Sequence, residues 1–271
     1  MRFWNRRNRW LLLVLLVLIA AVAIVFTSIP PVSTGSAQGT AFIGPAATQP
    51  TGTELGIGTF NIDGGQGLDG VTDLARTARC MQKLDFIGME EVHGFYVGDP
   101  PNQEVILSSL LHLPGLWVPT EKRFGHETFG NAAFSDLPIE SWQRIELPSE
   151  PHRAKRNYLL TKAIWHGKPL YVITTHTDWK SGGERQFEIV RDAFLKLPTP
   201  AILMGDLNTP RTNPLIGNLL KTPGVEEAIS QILDPIPGRV DWIFLRGLKT
   251  VNAGMVDIKA SDHPAYWAAV R

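Results

Sequence analysis

The chain has 271 residues but only one cysteine, Cys80, and no surplus of either charge, its 26 lysines and arginines matching its 26 aspartates and glutamates. One cysteine excludes an internal disulfide framework and a thiolate cage for zinc. Cys80 itself falls in a helical pattern and reads as a small buried hydrophobe. Basic residues are scarce where a nucleic-acid binder would concentrate them. Setting aside Arg2, Arg6, Arg7 and Arg9 leaves 22 basic against 26 acidic residues, which argues against a strongly basic polymer-binding protein. Internal repeats are absent, which excludes a solenoid. No charged residue occurs from Trp10 to Thr53. What is present, 44% apolar and 19% charged residues, suffices for a folded core.

The charge-free stretch has two parts. Residues 10–29, WLLLVLLVLIAAVAIVFTSI, are as long as a helix crossing the ~30 Å hydrocarbon core of a bilayer. Residues 1–9 are basic and would stay cytoplasmic, placing the rest of the chain outside an inner, cytoplasmic membrane as a single-pass protein. The competing reading is a cleaved signal, with Gly35-Ser36-Ala37 as a small-residue site and a secreted product; the apolar run exceeds the ~7–15 residues of a usual signal core, which favours a retained anchor. Residues 30–53, rich in Pro, Gly, Thr, Ser and Ala, read as a flexible linker of roughly 25–30 Å end to end. Residues 54–271 form one domain.

Within that domain, Glu54–Ile62 and Asp85–Val92 are apolar strand-like runs around a helical pattern at Val71, Leu74, Ala78 and Met81. Asn102 is a helix cap before Val105, Ile106, Leu110 and Leu111. Strand-like segments follow at Asn131–Ser135, Ile139–Leu147, Tyr158–Trp165 and Leu170–Thr175. Then come a helix over Gly183–Leu197 and strands at Ala201–Met204, Val240–Leu245, Val251–Val256 and Pro264–Val270. Strands outnumber helices, and helices appear at intervals to cover them. The expected fold class is α/β, a four-layer sandwich of two packed, mixed and largely antiparallel sheets flanked by helices.

Polar residues repeatedly stand at strand ends: Asn61, Glu90-Glu91, His176 and Asp178, Asp206 and Asn208, Asp241, and Asp262-His263. Singly each is explained as a turn or cap residue. Together, on one rim of a sandwich, they make a pocket of oxygen ligands and imidazoles, a donor set suited to Mg²⁺, Mn²⁺ or Ca²⁺. The series TFNI, GMEEV, GNAAFS, TTHTD, MGDLN, RVDWIF and SDHPA resembles, in order, the motifs of the endonuclease/exonuclease/phosphatase superfamily. One departure is visible: Glu90 stands where that family carries glutamine.

The resemblance implies hydrolysis of a phosphodiester or phosphomonoester by in-line attack of water. It makes Glu91, Asn61 and Asp262 the metal ligands. Asp206 orients or deprotonates the water, and Asn208 donates an amide N–H to the phosphate. His263, kept charged by Asp241, contacts a phosphoryl oxygen, and His176 is a second phosphate ligand or the general acid. Asn131, Arg156 and Trp179 are candidate substrate contacts, while Asp178 ranks behind His176. The substrate is expected to be a lipid headgroup or small phosphoester, with a nuclease on DNA or RNA as the alternative and a catalytically inactive membrane-anchored binding module as a third reading. The membrane is a partner through the N-terminal helix, and no protein partner is implied.

Overall fold

A computed structural model describes residues 6–28, 31–45, 47, 50–94, 102–150, 153–180, 182–233 and 236–271, and within the N-terminal helix it describes the side chains of residues 8–21. Residues 1–5 of the expected cytoplasmic segment, Ile29 at the end of the expected span, Pro30 of the linker and His152 lie outside the described residues.

The chain runs α1 (Arg6–Ser28), β1 (Val32–Ser33), β2 (Ala37–Gly39), β3 (Leu55–Asn61), α2 (Leu74–Arg79), β4 (Phe86–His93), α3 (Gln103–Leu111), β5 (Gly115–Arg123), β6 (His126–Ser135) and β7 (Ile139–Leu147). It continues through β8 (Arg156–Trp165), β9 (Lys168–His176), α4 (Gly183–Lys196), β10 (Ala201–Asp206), α5 (Pro214–Leu220), β11 (Val225–Glu227), β12 (Asp241–Arg246), β13 (Thr250–Val256) and β14 (Ala265–Val270). The strands form two seven-stranded sheets in the orders β1-β5-β6-β4-β3-β14-β13 and β11-β12-β10-β9-β8-β7-β2. Both sheets are mixed, because β3 and β4 pair parallel in the first and β9 and β10 in the second, while their neighbours pair antiparallel.

Three apolar cores give the expected four layers. Ile57, Phe86, Leu159, Val172, Ile202, Met204 and Ile243 pack between the sheets. Phe60, Ile87, Met89 and Phe134 meet α2 and α3 through Ala78 and Leu107 on one outer face. Ile173, Leu203, Trp242 and Phe244 meet Phe187, Val190, Phe194, Ile216 and Leu219 of α4 and α5 on the other. Side chains alternate along a strand with a period of two, so parity decides which face a residue serves. Asn61 shares the parity of Leu55 and Ile57, His176 that of Leu170 and Val172, Asp206 that of Ile202 and Met204, and Asp241 that of Ile243 and Leu245, all between-sheet residues. The polar strand ends therefore lie at the end of the inter-sheet core. Cys80 is buried beside α2, as its pattern implied.

The residues expected as a flexible linker are partly strand. Val32 and Ser33 pair antiparallel with Lys122 and Glu121, and Ala37–Gly39 with Arg144–Trp142. Arg144 donates from Nε to Gly35 O at 3.0 Å and from Nη2 to Thr34 O at 3.2 Å, and Trp142 Nε1 donates to Ala41 O at 3.1 Å. Composition suggested a coil because short polar residues dominate; the open backbone groups of β5 and β7, which no sequence pattern of the segment itself displays, give it partners. The expected helix at 10–29 is found as α1 over Arg6–Ser28, with side chains described at residues 8–21, a stretch shorter than a membrane span. Among the described residues, no helix is long and apolar enough to cross a membrane, so the expected transmembrane role of α1 has no support from the fold.

Behind the rim, Arg239 and Glu227 form a buried ion pair, with Nη1 and Nη2 reaching Oε1 and Oε2 at 3.0 and 2.8 Å, and the guanidinium lies 4.2 Å from the Trp242 ring centroid. Trp242 in turn donates from Nε1 to Thr209 O at 2.9 Å, fixing the loop after β10. Removing the cation alone would leave Glu227 uncompensated inside the protein. Arg239→Leu should lower unfolding stability by about 3–5 kcal/mol in denaturant titration, and a loss under ~1 kcal/mol would show that the pair is worth no more than a surface one.

Candidate active site

Register brings the central groups together. Asp206 of β10 stands opposite His176 of β9 on one side and opposite Asp241 of β12 on the other. Gly205 permits this: it has φ +144°, and a Cβ there would lie 1.9 Å from Thr175 O of the neighbouring strand. The facing sheet contributes Asn61 from β3. Asn61 Nδ2 donates to Glu91 Oε1 at 3.2 Å and to Asp206 Oδ2 at 3.1 Å, joining the two sheets through one amide.

Glu91 arrives by a bulge. The ladder between β4 and β6 shifts between Met89 and Val92, so that Glu90 and Glu91 together face Asn131. A bulge re-aims side chains, here sending two successive glutamates toward the rim. Glu91 has φ +58°, and Asp63 and Asn208 also hold left-handed conformations at +45° and +46°. Such backbone costs roughly 1–3 kcal/mol per residue where no glycine relieves it, and it concentrates at functional sites.

Around Asp206 the hydrogen bonds are dense. Its Oδ1 accepts from Asn208 N at 2.8 Å, and Asn208 Nδ2 lies 3.2 Å from its Oδ2, 2.9 Å from Thr177 O and 3.0 Å from His176 Nε2. Asn208, expected to donate to phosphate, thus spends its two amide hydrogens inside the protein and positions Asp206 and His176. His176 Nε2 is also approached by Arg156 Nη2 at 3.5 Å. His263 Nδ1 donates to Asp241 Oδ2 at 2.9 Å, while its Nε2 lies 3.9 Å from Asp206 Oδ2.

Charge is unevenly compensated. Burial, then the charge of Asp241, pushes the Asp206 carboxyl up to about 7 against the pull of His263 and of the Asn208 and Asn61 N–H groups. Burial likewise raises Asp241, opposed by its hydrogen bond with His263. For His263 burial alone would lower the pKa, but the Asp241 hydrogen bond and the charges of Asp241, Asp206 and Asp262 overcome it and push it up to about 10. His176 goes the other way, held well below its ordinary value by burial and then by Arg156 and His263. Those causes favour its neutral form, with Nε2 3.3 Å from Asp206 Oδ2, and suit it to holding Asn208 and Arg156. Arg156 is buried on β8 with no carboxylate paired to it among the described residues and with Nε lacking a partner.

Of the expected residues, Asn61, Glu91, His176, Asp206, Asn208, Asp241, His263 and Arg156 form one connected cluster. Asn131 lies across from the bulge. Asp262 is exposed on the rim, its Oδ1 accepting from Ser261 Oγ at 3.1 Å. Trp179 is exposed beside a cavity of about 390 Å³ that it lines with Asn208, Thr209, Glu184 and Asn213. Asp178 is buried in an ion pair with Arg153, a structural use consistent with its lower rank. Sequence reasoning missed Asp63, whose carboxyl is raised by burial and by the nearby Asp262 and Glu91; its Asp-Gly-Gly context reads simply as a turn.

Glu90, the departure from the family pattern, is fully buried and accepts from Thr59 Oγ1 at 3.1 Å. Burial, then the charges of Asp241 and Asp206, hold its carboxyl well above the ordinary value of 4.5. The folded chain keeps this proton where the unfolded chain has lost it. Its stabilisation is therefore full below about pH 4.5 and disappears as pH rises through the raised value. Glu90→Gln keeps the shape and an acceptor for Thr59 without a proton to lose. In the presence of a chelator it should raise the melting temperature more at pH 8 than at pH 5; an equal change at both would contradict the assignment.

Residues 58–263 match the family described as endonuclease/exonuclease/phosphatase. No match appears among curated protein sequences. The fold is shared with an endonuclease/exonuclease/phosphatase from Beutenbergia cavernae (21% identity, 80% of this chain and 71% of that one, TM-score 0.66) and with one from Bacteroides vulgatus (18%, 81% and 99%, 0.63). It is also shared with TDP2 from D. rerio, solved with a single-strand DNA product (18%, 81% and 100%, 0.60). The rim residues from Asn61 to His263 lie within the matched span, and the chain belongs to the endonuclease/exonuclease/phosphatase family.

Proposed function

We propose that this protein is a divalent-metal-dependent phosphoesterase that hydrolyses a phosphodiester or phosphomonoester outside the cytoplasm, tethered to the inner membrane by α1. The observation that carries the chemistry is the convergence of Asp206, the Asp241–His263 pair and the Asn61–Glu91 contact at one rim, with the buried Arg156 cation, which has no paired carboxylate among the described residues, beneath.

The donor set fits a hard cation. Asp206 and Asp241 carry carboxyl groups raised by burial and crowding, and Asp241 Oδ1 is buried without a partner among the described residues, so a cation near them would relieve the crowding. Asp206, Asp241 and His263 could each offer an atom within 4.8 Å of the others, but the Asp241–His263 hydrogen bond already uses two of those groups. Glu91, nearer the mouth, with Asn61 and the rim carboxylate Asp262, is the better holding set. Asn61 now turns its Oδ1 to Asp63 N at 3.2 Å, so its service as a ligand requires the amide to rotate. Mg²⁺ or Mn²⁺ bound there supplies a Lewis acid for the leaving oxygen.

The chain's own residues supply the rest. Deprotonated Asp206 accepts the proton of the attacking water, whose oxygen forms the new bond to phosphorus as the ester P–O bond breaks. His263, charged through Asp241, faces a non-bridging oxygen, and Arg156 offers a second positive charge. Neutral His176 accepts at Nε2 and fixes Asn208 and Arg156 around the phosphate site.

The membrane reading rests on α1. Its described side chains from Trp10 to Ile19 are exposed, and the helix is apolar all round instead of on one face, a pattern that water leaves uncovered and lipid covers. A nuclease is the second reading, favoured by the likeness to a TDP2 solved with a DNA product; a steep loss of turnover with salt on an oligonucleotide would support it. Retention of the whole rim cluster speaks against an inactive binding module.

The full-length protein should hydrolyse bis(p-nitrophenyl) phosphate or p-nitrophenyl phosphate with Mg²⁺ or Mn²⁺ and stop on adding a chelator. Asp206→Asn and His263→Gln should each lower kcat by about 10²–10⁴-fold with circular dichroism unchanged, and undiminished turnover in both would overturn the assignment. The alkaline limb of the pH profile should follow loss of the His263 proton, near pH 10. Asp241→Asn removes the partner that raises it and should move that limb toward the ordinary histidine range; an unmoved limb would assign it to another group.

A further inference from the structure

The segment between α1 and β3 runs in a fixed direction. Val32 is level with Lys122, and Thr34 N donates to Thr120 O at 3.2 Å with Thr34 Oγ1 donating to Pro119 O at 2.6 Å. The segment ends at Ile43, paired with Gly115 at the opposite end of β5. The catalytic end of β5 is identified by its partner: Val118 faces Asn131, which faces the Glu90–Glu91 bulge. Lys122 and Arg123 lie beyond that level, in the hairpin that projects past the site to His126. The chain therefore leaves α1 and meets the domain at the catalytic rim, then descends to the far end. Ser28 and Val32 are joined by four peptide units, at most about 14 Å, about half the reach expected of a flexible tether.

Apolar side chains stand on the same rim. Phe124 at the hairpin tip is 52% exposed, Leu68 and Val71 on the loop after β3 are 62% and 56% exposed, and Ile258 on the loop before β14 is 46% exposed. Leu68 N donates to Lys259 O at 3.2 Å, which ties the last two loops together. Scattered exposed apolar residues are ordinary. Here their position matters, because a short connection from an apolar helix ends among them, next to Lys122 and Arg123.

We propose that the catalytic mouth faces the bilayer and that its substrate is the phosphoester of a membrane lipid, reached without the lipid leaving the membrane. This rests on the hydrolase and anchor readings above. The β1–β2 segment acts as a spacer: pinned along its length, it holds the mouth within reach of headgroups, while Phe124 and Leu68 touch the acyl boundary and Lys122 and Arg123 face anionic lipid.

The test uses the full-length protein in lipid nanodiscs containing phosphatidylglycerol, phosphatidylethanolamine and phosphatidate, with bis(p-nitrophenyl) phosphate as the soluble control. Twenty Gly/Ser residues inserted between Pro30 and Pro31 should lower turnover of the nanodisc lipids about tenfold or more by diluting the mouth away from the surface, and leave soluble turnover unchanged. The double variant Leu68→Ser with Phe124→Ser should do the same. A fluorophore on Phe124→Cys, with native Cys80 buried, should be quenched by spin-labelled lipid in the parent protein and not in the insertion variant. Soluble turnover without release from any of the lipids, lipid turnover indifferent to the insertion, cleavage of an oligonucleotide alone, or an unquenched label would each overturn the proposal. Loss of soluble turnover in the unaltered protein would instead overturn the hydrolase reading.

Discussion

The arrangement depends on holding carboxylates closer together, and farther from water, than they would choose. Glu90, Asp206 and Asp241 occupy one end of the inter-sheet space, each raised by burial and by its neighbours. Such crowding persists only because the surrounding fold over-determines it. The Asp206–Asp241 pair is fixed by the β10–β12 register, Glu90 by the β4 bulge, and the compensating imidazolium by the turn that carries Ser261 to His263. The same crowding splits the two histidines. His263 is pushed up by its Nδ1 hydrogen bond to Asp241 and the charges of Asp241, Asp206 and Asp262, whereas complete burial and then the charges of Arg156 and His263 push His176 down, although its Nε2 lies 3.3 Å from Asp206 Oδ2.

Much of this was legible in the sequence because a strand's period of two survives into the fold. Ile139–Leu147 is a strand with the bounds that the pattern gave, and Gly183–Leu197 differs from α4 by one residue. Asn61, His176, Asp206 and Asp241 could be assigned to a rim because each ends an apolar run in the parity of its core residues. The motif order then named the family. What escaped reading depended on partners distant in sequence. β5 (GLWVPTEKR) carries a proline and mixed polarity, and its pairing with β6 and β1 makes it a strand. The β1–β2 segment has the composition of a coil and is ordered by edges more than 80 residues away. Asp63 looked like a turn residue because its involvement arises from Glu91 and Asp262 approaching it in space.

Motif roles and geometry part company at two places. Asn208 matches the position of a phosphate-contacting amide, but its hydrogens are already committed to Thr177, Asp206 and His176. Glu90 sits where an amide is usual, and burial makes it behave as one by keeping it protonated. In both cases the chemistry follows from the local count of donors and acceptors, which residue identity alone leaves open.

The β1–β2 segment also has a consequence for how the molecule is handled. It occupies the last open side of β5 and, a few residues later, that of β7, so a single stretch of chain seals the border of both sheets. A shortened protein beginning at Glu54, where the sequence alone would place the boundary, bares two rows of unsatisfied backbone amides and carbonyls on adjacent sheets. Strands left in that state recruit copies of themselves. The residues that look most dispensable are thus the ones that cap β5 and β7.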